Sequence, residues 1–377
     1  MLNTPFSPWP SFSDEEANVV RDIILSNKVN YWTGQECREF EKEFSAWCGV
    51  DYAVALANGT VALDIALKAL GVGAGDEVVV TPRTFLASVS SIVNAGAVPV
   101  FADIDPCSQN ITAETIQAVL TARTRAVVCV HLAGWPCDMD PIMQLASEYG
   151  LKVIEDCAQA HGARYKGRPV GSIGHVGAWS FCQDKIMTTG GEGGMVTTND
   201  RELWSRMWSF KDHGKSWDAV YEREHAPGFR WLHESFGTNW RMLEVQGAIG
   251  RIQLQRMPEW HRNRLGNAEQ IWSTARGLSG LRVPNIPESI EHAAYKCYVF
   301  VEPDQLRPGW DRDRIVNVMV ERGVPCYSGS CSEVYLEKAF DDTGWRPNQP
   351  LAGARELGDT SLMFLVHPTL TLSLIHI

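Results

Sequence analysis

One lysine has neighbours that could turn an amine into a catalyst. Lys185 lies in Ser180-Phe181-Cys182-Gln183-Asp184-Lys185-Ile186-Met187-Thr188-Thr189-Gly190-Gly191-Glu192-Gly193-Gly194, between an apolar strand-like run and a glycine-rich turn. A lysine can be kept partly out of water at such a place, and desolvation makes an amine a better nucleophile toward an aldehyde. Upstream, Val153-Ile154-Glu155-Asp156-Cys157-Ala158-Gln159 ends a β-like run on a carboxylate, Asp156. A carboxylate at the end of an apolar strand is costly unless a cation meets it. A lysine for an aldehyde and an acid for a pyridinium nitrogen are the two groups that pyridoxal phosphate (PLP) chemistry requires.

Two further segments suit the same cofactor. In Ala57-Asn58-Gly59-Thr60-Val61-Ala62-Leu63, Gly59 sits where a strand turns into a helix. Its missing side chain permits close approach, and the first helical N–H groups are free for a phosphate. Thr81-Pro82-Arg83-Thr84-Phe85 follows the next strand. There Phe85 is placed either to stack on a planar ring or to fill the core. Gln159, three residues after Asp156, could reach a ring hydroxyl, and Ser180, five residues before the lysine, could donate to a phosphate.

The elements that must position these groups alternate. Strand-like runs at Tyr52–Leu56, Glu77–Thr81, Val98–Ala102, Ala126–Val130 and Lys152–Asp156 are separated by helical patterns at Val61–Leu70, Phe85–Asn94, Ala113–Thr121 and Pro141–Tyr149. Asp140-Pro141 reads as a helix start. This alternation predicts an α/β fold with a large, mostly parallel sheet covered by helices on both faces. After about residue 250 the pattern changes. A long connecting helix through Arg276, a strand at Tyr298–Val301, a helix near Asp311–Arg322 and a loop-rich stretch from Cys326 to Pro350 predict a smaller α+β unit. The expected division is 1–250 and 251–377. The closing Leu-Ser-Leu-Ile-His-Ile lacks helical periodicity, which suggests a truncated or non-native end.

Composition bounds the partners. The chain has 377 residues, 45% hydrophobic and 21% charged, and 34 basic against 45 acidic side chains give a formal charge of −11. That balance disfavours nucleic acid and anionic membranes. No signal-peptide pattern opens the chain and no apolar stretch is long enough to span a bilayer, so a cytoplasmic protein is expected. Ten cysteines without a Cys-x-x-Cys pair then read as reduced thiols, and Cys326 with Cys331 makes a poor zinc site, so no metal is expected.

From about Tyr31 to Leu370 the chain resembles the DegT/DnrJ/EryC1/StrS family of PLP-dependent sugar aminotransferases, of the aspartate aminotransferase fold type I. The resemblance rests on Asn58-Gly59-Thr60-Val61-Ala62-Leu63, Thr84-Phe85, Asp105-Pro106, Glu155-Asp156-Cys157-Ala158-Gln159-Ala160-His161-Gly162, Ser180-Phe181…Lys185…Gly191-Glu192-Gly193-Gly194 and Gly237-Thr238-Asn239-Trp240-Arg241-Met242. It implies that Lys185 binds the cofactor aldehyde as an imine. Asp156 would pair with the ring nitrogen, Gln159 with the ring hydroxyl, and Phe85 would stack. Gly59, Thr60 and Ser180 would hold the phosphate, with Asn239 supplied by the second subunit of a homodimer with a shared site.

The resemblance further implies amino transfer from L-glutamate, through pyridoxamine phosphate, to a keto group of a nucleotide-linked sugar, with the 4-keto position favoured over the 3-keto. Trp32, Thr33, His213 and Arg241 are the candidate substrate contacts. A cyclitol ketone is the alternative acceptor, and a non-catalytic PLP-binding regulator the alternative role. Three features depart from the family pattern: Asn58 for its serine, Cys182-Gln183-Asp184 for its His-Pro-x, and no Tyr-Pro-x-x-His between Cys326 and Pro350. Family dehydratases carry histidine where this chain has Lys185, and no Gly-x-Gly-x-x-Gly favours a nicotinamide enzyme.

Overall fold

The computed structural model describes residues 6–370, so the expectation about the C-terminal end falls outside the described residues. The five expected strands all form: β1 (Tyr52–Leu56), β2 (Glu77–Val80), β3 (Val98–Phe101), β4 (Thr124–Val130) and β5 (Lys152–Asp156). A short hairpin follows, β6 (Arg164–Tyr165) and β7 (Arg168–Pro169), then β8 (Val176–Ser180) and β9 (Gly194–Thr198). The main sheet has the order β1-β9-β8-β5-β4-β2-β3, and only β9 runs against the others. Val78, Val79 and Val80 are all fully buried, as expected of a strand covered on both faces. In this arrangement the carboxyl ends of the parallel strands open on one edge, where α/β sheets bind their ligands.

The helices are α1 (Asp14–Ser26), α2 (Glu36–Cys48), α3 (Gly59–Ala69), α4 (Ala87–Asn94), α5 (Ala113–Gln117), α6 (Met139–Tyr149), α7 (Arg201–Lys211) and α8 (Glu244–Arg276). Several boundaries shift by a few residues from expectation, and three of these shifts have clear local reasons. Helix α6 begins at Met139, so Asp140 is not its N-cap; that carboxylate instead pairs with Lys166 and Arg168 of the hairpin. Helix α5 stops at Gln117, short of Thr121, whose hydroxyl is taken by Glu77 at the start of β2. Helix α4 begins at Ala87, which leaves Phe85 on the preceding turn.

Beyond α8 lie β10 (Leu281–Arg282), β11 (Ile290–Glu291), β12 (Cys297–Val301), α9 (Arg312–Glu321), β13 (Cys326–Tyr327), α10 (Ala352–Thr360) and β14 (Ser361–Phe364). Strands β10-β12-β14-β13 make a second, antiparallel sheet, while β11 joins the hairpin β6–β7. The position expected to divide the chain, residue 250, falls inside α8. The first half of that helix packs on α1 and α2; Ala268, Trp272 and Ala275 of its second half pack with Cys297, Val299 and Leu362 of the small sheet. Arg83 ties the two sheets together. Its buried guanidinium donates to Gln109 (3.1 Å), Ser332 (2.7 Å) and Ser361 (2.9 Å).

Candidate active site

The strand ends build a cradle. The side chain of Asn58 caps α3 by accepting the Val61 N–H at 3.0 Å. That leaves the N–H groups of Gly59 and Thr60 without partners among the described residues. A Cβ on Gly59 would lie 2.4 Å from the Ser180 Cβ, so only glycine lets this turn rest on the end of β8. The Ser180 hydroxyl accepts the Cys182 N–H at 3.4 Å and keeps its own proton to donate. Two free helix-terminal amides and one hydroxyl converge at this spot. It is a natural anion site, because the helix dipole adds its positive end there.

Asp156 stands at the end of β5, paired in register with Ala178 of β8. It is 5% exposed. Ser88 of α4 donates to one carboxylate oxygen at 2.7 Å, and the Ala158 N–H donates to the other at 3.1 Å. Burial pushes its carboxyl up, and these two bonds and the charges of Lys185 and His131 only partly offset that. A buried carboxylate in this condition is short of a cation. Phe85 is 73% exposed, which rules out the core-filling role. Its carbonyl accepts the Ser88 N–H, so the exposed ring and the buried acid are fixed by the same serine.

Gln159 accepts the Ala133 N–H through its carbonyl oxygen at 2.8 Å, which leaves its NH2 group to donate. The Ala133 carbonyl in turn accepts the Tyr295 N–H at 3.0 Å. Through this bond the small unit reaches the lysine. The Lys185 amine lies 5.3 Å from the centre of the Tyr295 ring and 3.6 Å from the Asp184 carboxylate, and its side chain is only 17% exposed. The Tyr295 hydroxyl is hydrogen-bonded to Asp184. Burial opposes ionisation of Asp184, yet the charge of Lys185 and the Tyr295 hydroxyl hold it below its ordinary value. From the N-terminal side, the Trp9 indole donates to the Lys185 carbonyl at 2.8 Å.

These groups fit PLP. The acid lacking a cation suits a protonated pyridine nitrogen, the free amides and hydroxyl suit a phosphate, the Gln159 amide suits a phenolic oxygen, and the enclosed amine suits an aldehyde. His161, Ser88, Tyr295 and Trp9 were not singled out by sequence reasoning. His161 lies against Trp179 and Phe181. Burial and the Lys185 charge depress it to about 3, so it stays neutral. The carboxylate of Glu155 already serves His131 and the N–H groups of Gly171, Ile173 and Gly174, so the His131–Glu155–Cys157 cluster is a satisfied core network. All ten cysteines are free.

The candidate substrate residues divide. Arg241 donates to buried Asp212 at 2.8 Å; Lys215 reaches the same oxygen at 3.2 Å and lies 4.1 Å from the Trp32 ring. The Trp32 indole N–H and the Arg241 Nε are buried without partners. Trp32 and Arg241 therefore belong to one cluster, held against the cradle by the bond from Ala57 N–H to the Trp240 carbonyl at 2.9 Å. Thr33 is exposed and closes a local turn onto the Asn30 carbonyl. His213, also exposed, adopts a positive φ of 59°. Asn239 is exposed as well.

Comparison with known proteins follows the same lines. The model of the DegT/DnrJ/EryC1/StrS aminotransferase family matches residues 10–375. A GDP-perosamine synthase of Caulobacter vibrioides is 43% identical over 63% of this chain and 62% of its own length, so the match spans less than two thirds of that relative. A GDP-perosamine synthase of Escherichia coli O157:H7 is 34% identical over 89% of this chain and 90% of its own. The X-ray structure of an aminotransferase from Psychrobacter cryohalolentis superposes with a TM-score of 0.97 at 64% identity, covering 99% of this chain and 96% of that one.

Proposed function

This chain belongs to the DegT/DnrJ/EryC1/StrS family of PLP-dependent sugar aminotransferases, and we propose that it moves an amino group from L-glutamate to the 4-keto group of a nucleotide-linked sugar. The product would serve cell-surface polysaccharide or amino-sugar synthesis. The observation that carries the reading is the buried Asp156 carboxylate, short of a cation, on the strand beside the one that leads to Lys185. The names of the two similar synthases support the choice of a nucleotide sugar. A cyclitol ketone is the second reading, favoured by a 36% identical L-glutamine:2-deoxy-scyllo-inosose aminotransferase of Streptomyces fradiae.

In this reading Lys185, Asp156, Gln159, Phe85, Gly59, Thr60 and Ser180 hold the cofactor, joined by Asn239 of a second subunit. When bound, PLP supplies an electron sink for the carbanion formed at the donor's α-carbon. The chain's own work is proton management. Lys185 moves one proton between the donor carbon and the cofactor as general base and then general acid. Asp156 would meet the pyridine nitrogen and, as its counter-ion, would keep that nitrogen protonated. Phe85 would cover one face of the ring and Gln159 would hold its hydroxyl, so that the reacting bond is kept in one orientation. The keto acid leaves before the sugar is aminated, which predicts ping-pong kinetics.

The test is to offer the PLP-loaded protein glutamate with a panel of 3-keto and 4-keto nucleotide sugars and a cyclitol ketone. A 4-amino nucleotide sugar, identified by mass and NMR, is the expected product. A 3-amino product would overturn the assigned position, and reaction with the cyclitol alone would overturn the substrate class.

A homodimer with a shared site is part of the proposal. Phe229, Trp231 and Phe236 are 78%, 80% and 99% exposed on the segment that leads to Asn239. Such a group of bare aromatics suits a buried interface. The double variant Trp231→Asp/Phe236→Asp is expected to turn a dimer into a monomer in light scattering and to lower PLP affinity at least about tenfold, since charges in an interface core cost several kcal/mol. A variant that stays dimeric with unchanged affinity would contradict the shared site.

A further inference from the structure

Two cations beside Lys185, the buried Arg264 and the half-buried Lys296, have no counter-ion, and the mechanism above leaves both unused. Arg264, on α8, is 2% exposed. Its Nε and Nη2 are buried without hydrogen-bond partners, and Nη1 makes only a long 3.4 Å bond to the Tyr295 carbonyl. Its guanidinium lies 4.8 Å from the Trp9 ring, whose indole N–H holds the Lys185 carbonyl. Lys296 follows Tyr295 in the chain, and its amine lies 4.7 Å from the Tyr295 ring centre, on the same ring that Lys185 approaches at 5.3 Å. Among the described residues neither cation has an ion-pair partner. The carboxylate whose charge acts on both, Asp184, is already engaged by Lys185 and the Tyr295 hydroxyl.

Buried charges without partners are expensive and are retained where a ligand supplies the missing charge. Burial pushes the Lys296 amine down to about 8, with Arg264 and Lys185 adding to the shift and Asp184 opposing it. Burial likewise pushes Arg264 down to about 9, although Tyr295 and Asp184 oppose this. Once Lys185 is balanced by Asp184, two positive charges remain. The donor's α-carbon must come within roughly 3–3.5 Å of the lysine amine for proton transfer, and its α-carboxylate is bonded to that carbon. An anion is therefore carried to this spot by the geometry of the reaction. A guanidinium fork with two free N–H groups suits a carboxylate.

We propose that Arg264 and Lys296 receive the two carboxylates of the amino donor and so select a dicarboxylic amino acid over its monoamide. The inference rests on the aminotransferase reading above and names the residues behind donor choice. A nucleoside diphosphate offers the same charge. It is disfavoured because Arg264 is enclosed between Trp9 and Tyr295 beside the reacting lysine, whereas the nucleotide is the end of the sugar substrate remote from the ketone.

The test is equilibrium binding of glutarate, an unreactive dicarboxylate, to the PLP-loaded protein by calorimetry, with butyrate and UDP as comparison ligands. Wild-type protein is expected to bind glutarate at least about tenfold more tightly than butyrate. Lys296→Gln is expected to weaken glutarate about tenfold or more, the usual loss when a hydrogen bond to a charged group is removed, and to leave UDP unchanged. It should also erase the preference for glutamate over glutamine in the first half-reaction. Arg264→Lys is expected to retain part of the affinity that Arg264→Met loses. Equal binding of glutarate and butyrate by wild type, or unchanged glutarate binding in Lys296→Gln, would overturn the assignment. So would loss of UDP binding with glutarate untouched. If wild type binds glutarate as expected but aminates no ketone in the panel, the function assignment fails and the anion site stands.

Discussion

Lys185→Ala is expected to lose turnover by roughly four orders of magnitude or more, together with the visible absorbance of the lysine-bound cofactor. Two contributions vanish at once. General acid–base catalysis alone is worth about 10²–10⁴-fold, and the covalent attachment that orients the reacting centre goes with it. The fold should survive. The Lys185 side chain makes one ion pair, at 3.6 Å to an Asp184 that is itself more than half exposed, and such pairs contribute about 0–1 kcal/mol. The Trp9 bond uses the backbone carbonyl and is untouched by the substitution. The variant should still take up PLP non-covalently, since the Asp156 carboxylate and the Gly59–Thr60 amides remain. Absorbance spectra before and after dialysis, with a melting curve, separate these effects. A variant with substantial turnover would remove Lys185 from the chemistry.

The parts of the site legible in the sequence are those local to a strand end. Asn58-Gly59-Thr60, Phe85, Asp156 and Ser180 each follow an apolar run that could form a strand only if covered on both faces. Strand β9 escaped notice because Gly194–Thr198 runs straight on from the glycine-rich turn, and its place between β1 and β8 is set by pairing. What stayed hidden is contributed from a distance. Trp9 reaches Lys185 across 176 positions, and Arg264 meets the Tyr295 carbonyl from a separate helix. Neither contact has a local signature. Ser88 looked like an ordinary helical serine because its role depends on facing the end of β5, 68 positions away. The misplaced start of α6 has a different origin. Asp140-Pro141 satisfies the local rule for a helix start, but two cations of the hairpin compete for that carboxylate and the helix begins two residues earlier, at Met139.

Asp156→Asn is expected to separate function from stability. Removing a preorganised charge that acts on the reacting system costs about 10²–10³-fold in kcat. The cofactor-free protein should respond in the opposite sense. Its Asp156 carboxyl is raised above the ordinary 3.8 by burial, so between that value and the raised one the folded chain holds a proton that the unfolded chain has released. The stability contributed by this group is complete below 3.8 and is lost as pH climbs through the raised value. Asparagine carries no such penalty and can still accept from Ser88. Without cofactor, the variant should therefore melt at or above the wild-type temperature, and its advantage should widen as pH climbs from about 4 through the raised value. With PLP the order reverses, because a cationic nitrogen now favours the ionised acid. The melting temperature gained on adding PLP should rise with pH across this window in wild type and stay flat in the variant. If both proteins gain equally from PLP at every pH, Asp156 does not face a charged ring nitrogen, and the reading of this strand end as the cofactor's counter-ion fails.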